Sequence, residues 1–358
     1  MGRTNPGHPL NLLAGEVVEV RSKEEILASL DENGRLEAMP FMPEMLQYCG
    51  KRFRVFKRAD KTCDNIGPPG FPLQWSLRRV QNAVHLMGIR CDGSAHGNCD
   101  AGCLIFWNEA WLKRVDSKFL PASQIAAQQT SSEQSTASIG GKPEICSEES
   151  LGRAACRMDN STAPPEPVYS CQATDLRKFT SHLYWWDFRQ YIRDIRSRNL
   201  NRGIGNSKSE ELLETFLSIL EVFRALFILT FNKFQIFRSG VQYPHIQGGL
   251  AATPTLASNM QPGEFVQVRS KEEIISTLDR RNKNRGLLFD SEMVRYCGGT
   301  FRIQKRVNQI IDEKNGKMLS MKSPCIILEG VSCVSEYHSF CPRAIYHYWR
   351  EGWLRRVD

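Results

Sequence analysis

The stretch GEVVEVRSKEEILASLD, residues 15–31, decides the fold because it returns as GEFVQVRSKEEIISTLD at residues 263–279. The two copies are identical at twelve of seventeen positions, so the chain contains an internal duplication. In each copy, valines alternate with other residues, which predicts a half-buried strand. A Ser-x-x-Glu sequence follows at Ser22 and Ser270, and this capping-box spacing predicts that each strand runs into a short helix.

The duplication extends beyond this opening. Each copy continues with Glu-Met-x-x-Tyr-Cys-Gly, a basic strand-like run, a further strand candidate and a cysteine-containing loop that ends in Trp-x-x-x-Trp-Leu. These features occupy residues 44–50, 51–58, 83–90 and 91–112 in the first copy, and 292–298, 299–306, 325–332 and 333–354 in the second. This order of elements predicts two homologous, small β-barrel-like (SH3-like) modules that flank a helical segment, within an α+β fold.

The regions between the modules differ in composition. Residues 117–167 are rich in Ser, Ala, Gln, Thr and Pro, which is typical of a flexible linker. A helix is predicted from about Ser207 to Arg238; it is apolar on more than one face, but its uncharged run is too short to span a membrane, so we expect a buried or interfacial helix. The predicted organisation is an N-terminal extension (1–14), a first module (15–116), a flexible linker (117–167), a helical segment (168–238), a second linker (239–262) and a second module (263–358).

The overall composition is that of a globular protein. The formal charge of +8 over 358 residues is compatible with nucleic acid, anionic lipid or an acidic protein partner, and equally with simple solubility. The N-terminus lacks the apolar core of a signal peptide, which predicts a cytoplasmic protein without a transmembrane segment. In a reducing compartment the twelve cysteines are expected to be thiols or metal ligands. Cys146 and Cys156, in the predicted linker, are expected to be exposed.

The first module carries a candidate metal site. Cys91, His96, Cys99 and Cys103 have the spacing Cys-x4-His-x2-Cys-x3-Cys, and Cys63 lies upstream in a loop with Gly and Pro. Thiolate and imidazole are the usual structural ligands of zinc, and closely spaced thiols also hold iron–sulfur clusters. The sequence therefore predicts a Zn²⁺ or iron–sulfur site drawn from these five residues. The alternative is that the cysteines are small buried hydrophobic residues.

The second module repeats only part of this pattern. Cys333, His338 and Cys341 align with the first three ligands, but Ile345 stands at the position of Cys103. A complete metal site is therefore expected in the first module, while the second is either a degenerate structural copy or recruits Cys325.

Three functions remain open from the sequence. The first is a metal-binding accessory protein with a protein partner. The second is a metal- or thiol-dependent enzyme for a tailoring or redox step in a biosynthetic pathway, in which Arg189, Arg193 and Arg196 hold a small anionic ligand. The third is nucleic-acid binding by the basic strands, which is less favoured because such residues also form ordinary solvent-facing strand surfaces. The common nucleotide-binding, zinc-protease and hydrolase motifs are absent.

The repeated motifs carry a resemblance. The GE-x-V-x-V-R-S-K-E-E-I opening, the E-M-x-x-Y-C-G core, the cysteine loop ending in W-x3-W-L and the central Y-S-C-Q-A-T-D-L together resemble a bacterial protein family without an assigned activity. The resemblance covers both modules and the start of the central segment, and it implies kinship without a reaction. More distantly, the modules resemble SH3-type barrels of the KOW kind found in translation and transcription factors.

Overall fold

A computed structural model describes residues 9–64, 66, 76–115, 146–161, 163–200 and 208–357, without the side chains of 208–212. The chain divides into two compact units. The first unit consists of Met1–Asn98, Leu104–Asn199 and Asp312–Lys317, and the second of Cys99–Cys103, Leu200–Ile311 and Met318–Asp358.

Strands outnumber α-helices in both units. Those of the first unit are β1 (Val17–Val20), β2 (Arg35–Leu36), β3 (Met39–Pro40), β4 (Arg52–Arg58), β5 (Lys61–Asp64), β6 (Ser76–Arg79), β7 (Ala83–Leu86), β8 (Trp107–Asn108), β9 (Leu112–Arg114), β10 (Cys156–Asp159), β11 (Glu166–Tyr169) and β12 (Ser181–Leu183). Those of the second unit are β13 (Phe265–Val268), β14 (Lys283–Asn284), β15 (Leu287–Leu288), β16 (Thr300–Ile311), β17 (Met318–Leu328), β18 (Trp349–Arg350) and β19 (Leu354–Arg356).

Helices are fewer. The first unit contains α1 (Lys23–Leu27), α2 (Glu148–Ala155) and α3 (Arg189–Arg196), and the second contains α4 (Lys208–Phe237) and α5 (Lys271–Ile275). Short 3-10 helices cover Pro43–Tyr48, Glu109–Trp111, Ser291–Tyr296 and Glu351–Trp353. Among the described helices, none has both the length and the apolar character that crossing a bilayer would require.

Each unit is built on one five-stranded antiparallel sheet, so the predicted α+β class is confirmed. The order is β8-β7-β4-β1-β9 in the first unit and β18-β17-β16-β13-β19 in the second. In the first sheet β1 lies between β4 and β9. In the second sheet β13 lies in the same way between β16 and β19. The duplicated sequence therefore produces the same strand order twice.

The duplicated opening folds as its local pattern predicts. The Ser22 hydroxyl accepts from the amide of Glu25 at 3.3 Å, and the Glu25 carboxylate accepts from the amide of Ser22 at 3.0 Å. Ser270 and Glu273 form the same reciprocal pair at 3.2 and 2.9 Å. These capping boxes begin α1 and α5 directly after β1 and β13, because they satisfy amides that a helix start leaves without partners.

The paired tryptophans belong to the hydrophobic cores. Trp107 and Trp111 are fully buried, and the Phe41 ring lies edge-on to Trp111 with centroids 5.2 Å apart. In the second unit Trp353 meets Phe289 in the same way at 5.5 Å. Aromatic pairs of this geometry add stability beyond the area that they bury.

The second half of the predicted linker is ordered structure. Residues 117–145 lie outside the described part, but α2 and the β10–β11 hairpin follow from residue 148 onward. The expectation that Cys146 is exposed is wrong, because Cys146 and Leu151 are buried in the hydrophobic core of the first unit. A few apolar residues on one face of a capped helix are sufficient to bury that face in a core. The average composition of a segment does not reveal them.

Candidate metal centres

Each unit contains a glutamate, a cysteine and a histidine whose ligand atoms lie within 4.8 Å of one another. We call them the first cluster (Glu44, Cys91 and His96) and the second cluster (Glu292, Cys333 and His338). In both, the glutamate comes from a 3-10 helix, and the other two residues come from the loop after β7 or β17. The site residues are thus held by the repeated architecture.

A left-handed backbone turn places the two loop ligands of each cluster. In the first copy Gly93 has φ of +77°, and its carbonyl accepts from the amide of His96 at 2.9 Å. In the second copy Ser335 adopts φ of +62°, and its carbonyl accepts from the amide of His338 at 3.2 Å. A non-glycine residue adopts this conformation at an energetic cost. The second copy therefore keeps the loop shape without the glycine that favours it.

The first cluster is tightly packed. The Nδ1 atom of His96 lies 2.7 Å from Oε1 of Glu44, and the Cys91 thiol donates to the same oxygen at 3.3 Å. His96 and Glu44 are buried, and Cys91 is half-buried. One nitrogen, one oxygen and one sulfur therefore converge in a site from which bulk water is largely excluded.

The hydrogen bond on the far side of the imidazole orients the ring. The Nε2 atom of His96 lies 3.1 Å from the carbonyl oxygen of Ser170. Because a carbonyl only accepts, Nε2 must carry the proton. Nδ1 is thereby directed toward Glu44 and Cys91, which is the arrangement by which proteins orient metal-binding histidines.

An unsatisfied carboxylate oxygen marks each cluster. Oε2 of Glu44 and Oε2 of Glu292 are both buried and have no hydrogen-bond partner among the described residues. Burying a carboxylate oxygen without a partner is costly, so native proteins seldom do so. The same orphaned atom therefore recurs at equivalent places in the two copies.

The second cluster is a variation on the first. The Cys333 sulfur lies 3.6 Å from Nδ1 of His338, and Oε1 of Glu292 accepts from the amide of Tyr337 at 2.6 Å. The Asp290 carboxylate, 3.5 Å from Nε2 of His338, occupies the role that the Ser170 carbonyl has in the first cluster. A carboxylate behind a histidine also raises its basicity as a ligand.

Burial and charge shift the pKa values in the second cluster. Burial raises the pKa of Glu292 to about 7 and also raises the pKa of the Cys333 thiol. Burial disfavours the charged form of His338, but the Asp290 carboxylate outweighs it and raises the pKa of the imidazole well above its ordinary value. Burial also disfavours the charged form of Asp290, but the positive charge of His338 outweighs this effect and lowers the pKa of Asp290 to about 2. A metal binding here would displace protons from these ligands.

The structure separates the five metal ligands predicted from the sequence. It brings Cys91 and His96 together, whereas Cys63 is buried in β5 and belongs to neither cluster. Cys99 and Cys103 belong to the second unit, where the Cys99 sulfur accepts from the amide of Ile311 at 3.4 Å.

The second module also differs from its prediction. Cys325 accepts from Nη1 of Arg350 at 3.1 Å and is not a member of the second cluster. The sequence reasoning missed Glu44 and Glu292, although both open the shared Glu-Met-x-x-Tyr-Cys-Gly motif. An acid retained at the same place in two diverged copies is the signal that could have identified them.

A groove in the first unit gathers two of the three predicted anion-binding arginines. It has a volume of about 460 Å³, and Arg58, Arg79, Arg193 and Arg196 are among the residues that line it, whereas Arg189 is not. The side chains of Arg193 and Arg196 have no hydrogen-bond or ion-pair partner within the described ranges, whereas Arg58 pairs with Asp60 and Glu109, and Arg79 pairs with Asp187. Two of the arginines that line the groove therefore keep unpaired side chains.

The basic strands that suggested nucleic-acid binding are largely neutralised within the protein. The terminal Lys113 and Arg114 pair with Glu25 and Glu16 at 2.8 and 3.1 Å. In the second unit the corresponding Arg355 and Arg356 pair with glutamates at 3.0 Å each. Pairing of this kind reduces the positive potential available to a phosphate backbone.

Comparison with known proteins adds no assignment. No family model, no curated protein and no solved structure matches the chain. The resemblance to a tandem-module bacterial family stays a prediction, and function is inferred from the geometry of the two clusters and the groove.

Proposed function

We propose that the protein is a metal-binding accessory protein that holds one Zn²⁺ ion in each Glu–Cys–His cluster. The observation that carries the proposal is the recurrence of the same three ligand types, each time with an orphaned glutamate oxygen, in two diverged copies of one module. Zinc accepts sulfur, nitrogen and oxygen ligands together. Three protein ligands leave one coordination position for water or for a group of a binding partner.

The donor set favours zinc over an iron–sulfur cluster. Iron–sulfur clusters are held mainly by several thiolates, and each described cluster supplies a single thiol. Zinc is also consistent with the histidine orientation, because His96 and His338 both have a hydrogen-bond acceptor behind Nε2. Thiolate coordination needs reduced cysteines, and we therefore also propose a cytoplasmic location.

Metal analysis of the purified full chain tests this proposal. We expect two equivalents of zinc per chain and no visible absorption. Cys91→Ser with His96→Asn should remove one equivalent, and Cys333→Ser with His338→Asn should remove the other. The combination of all four substitutions should leave none.

Cys63→Ser and Cys103→Ser are the matched controls, since they remove thiols that the sequence pattern favoured but that neither cluster contains. Both should retain two equivalents. Circular dichroism would show whether each variant is folded, and a chelator-competition titration would measure the affinity of the folded ones. The proposal fails if the wild-type chain, stripped and titrated, takes up no zinc, or if Cys63→Ser removes an equivalent while Cys91→Ser does not.

We propose further that each five-stranded sheet curls into an SH3-like barrel. The strand order supports this, because the last strand pairs with the first and the remaining strands follow as a meander. The single 3-10 turn between the last two strands of each sheet also supports it.

The arginine groove favours a second candidate function, the binding of a small anionic ligand. Inorganic phosphate is the probe, and at about 100 times its Kd it should stabilise the protein by about 2.7 kcal/mol, seen as a rise in Tm. Arg193→Glu with Arg196→Glu should abolish the rise. Arg189→Glu, on the same helix but outside the groove, should retain it. Equal responses of the two variants would contradict the assignment.

A further inference from the structure

The hydrogen-bond acceptor behind the histidine has a different origin in the two clusters. In the second cluster it is the carboxylate of Asp290, which belongs to the module itself and stands two residues before Glu292. Residues 21–50 align with 269–298 without a gap, and this alignment puts Met42 at the position of Asp290. A methionine sulfur is only a weak acceptor. The first module therefore lacks the side chain with which the second module orients its histidine.

A separate segment supplies the acceptor in the first cluster. The carbonyl oxygen of Ser170, which lies 74 residues after His96 in the chain, is 3.1 Å from Nε2 of the imidazole. We call residues 170–176 the latch. The first cluster is thus assembled from two pieces of chain, because the module provides the three ligand side chains and the latch orients one of them.

One side chain of the latch fastens it to the module. Gln172 is 4% exposed, and its amide bonds to the backbone of two module residues. Oε1 accepts from the amide of Phe106 at 2.8 Å, and Nε2 donates to the carbonyls of Phe106 at 2.8 Å and of Pro40 at 3.0 Å. Both ends of the side-chain amide are therefore engaged. Gln172 holds the latch in one register, two residues after the carbonyl that faces His96.

An ion pair and a turn support the same docked position. Nη2 of Arg35 lies 2.5 Å from Oδ2 of Asp175, and the two side chains are 18% and 5% exposed. The Ser170 hydroxyl donates to the same carboxylate oxygen at 2.9 Å, and the amide of Asp175 donates to the Cys171 carbonyl at 3.0 Å. Leu176 is buried in the core of the first unit. The position of the Ser170 carbonyl therefore depends on the latch being docked.

We propose that docking of the latch and zinc binding by the first cluster are coupled, and that Gln172 is the residue that positions the latch. The inference rests on the proposed zinc site and adds its regulation. Release of the latch removes the acceptor behind His96 and weakens zinc binding, whereas the second cluster, with Asp290 behind its histidine, holds zinc in either state of the latch. Loss of such an outer partner typically lowers metal affinity about 10–100-fold. Because coupling is reciprocal, zinc holds the latch closed by the same factor.

A chelator-competition titration of the full chain tests the coupling. The background variant Cys333→Ser with His338→Asn keeps only the first site, and in it Gln172→Ala should lower the zinc affinity about 10–100-fold. The control in the same background is Glu109→Ala, which removes another buried, hydrogen-bonded side chain of the first unit but none that bonds to the first cluster. This control should keep the zinc affinity of the background variant. Circular dichroism would show that the variants are folded.

Hydrogen exchange of the wild-type chain tests the reverse direction and does not depend on the folding of Gln172→Ala. Zinc should slow exchange of the Asp175 amide at least about 10-fold relative to chelator-treated protein. In Cys91→Ser with His96→Asn, zinc still fills the second site but should leave that exchange rate unchanged. If the wild-type chain binds two equivalents, an unchanged affinity in Gln172→Ala or an unchanged exchange rate overturns the coupling while the zinc proposal stands. A wild-type chain that binds no zinc overturns both.

Discussion

Glu109→Ala should lower the free energy of unfolding of the first unit by about 3–5 kcal/mol. The Glu109 carboxylate is buried and accepts three hydrogen bonds: from the amide of Leu12 at 2.8 Å, from the amide of Asn11 at 3.1 Å and from Nη1 of Arg58 at 2.6 Å. Alanine would leave two amides without their partner and remove one of two acids that neutralise Arg58. Urea unfolding of the full chain measures the loss.

The control for this prediction is Glu16→Ala. Glu16 pairs with Arg114 at 3.1 Å, but the two side chains are 31% and 48% exposed, so the change should cost no more than about 1 kcal/mol. Equal losses for the two variants would show that burial of Glu109 contributes nothing.

The same loss of stability is expected in the second unit, where Glu351 is the equivalent of Glu109. Glu351 is buried and accepts from the amides of Ser258 and Asn259 at 2.6 and 2.9 Å, and from Arg306 at 2.6 Å. In each unit this glutamate holds the segment that precedes the first strand of the sheet. Glu351→Ala should therefore cost a similar amount, because the same hydrogen-bonded role is repeated.

Features that depend on neighbours in sequence could be predicted. The capping boxes at Ser22 and Ser270 are set by residues three positions apart, and α4 follows from a long apolar pattern, so both appear where the sequence places them. The repeat itself identified the tryptophans that close each core. These features need no knowledge of how distant parts of the chain meet.

The metal clusters needed tertiary information. Glu44 lies 47 residues before Cys91, and only the folded sheet brings its 3-10 helix beside the cysteine loop. Cysteine spacing alone suggested Cys99 and Cys103, but it does not fix where a loop sends its side chains. The left-handed residues Gly97 and Asn98 turn the backbone immediately before Cys99.

The contacts of helix α3 also could not be predicted from the sequence. Large apolar residues are frequent from Trp185 onward, yet α3 begins only at Arg189, and Trp186, Phe188 and Ile192 are exposed. Tyr191 of α3 is buried, and so is the ion pair between Asp194 of α3 and Lys61 of β5. A buried charged pair between distant segments has no signature in local periodicity.

Asp194→Ala should therefore destabilise the first unit by about 3–5 kcal/mol, because it leaves Lys61 buried without its counter-charge. Nζ of Lys61 lies 2.5 Å from Oδ2 of Asp194, and the two side chains are 2% and 4% exposed. Urea unfolding of the full chain measures the loss.

A double substitution separates the charge from the packing. Lys61→Met with Asp194→Leu replaces the pair by apolar side chains of similar volume, and such replacements are often neutral or stabilising. We expect the double variant to recover most of the stability that Asp194→Ala loses. If instead the costs of Lys61→Met and Asp194→Leu simply add, the two charges are not coupled, and some other contact must hold α3 against β5.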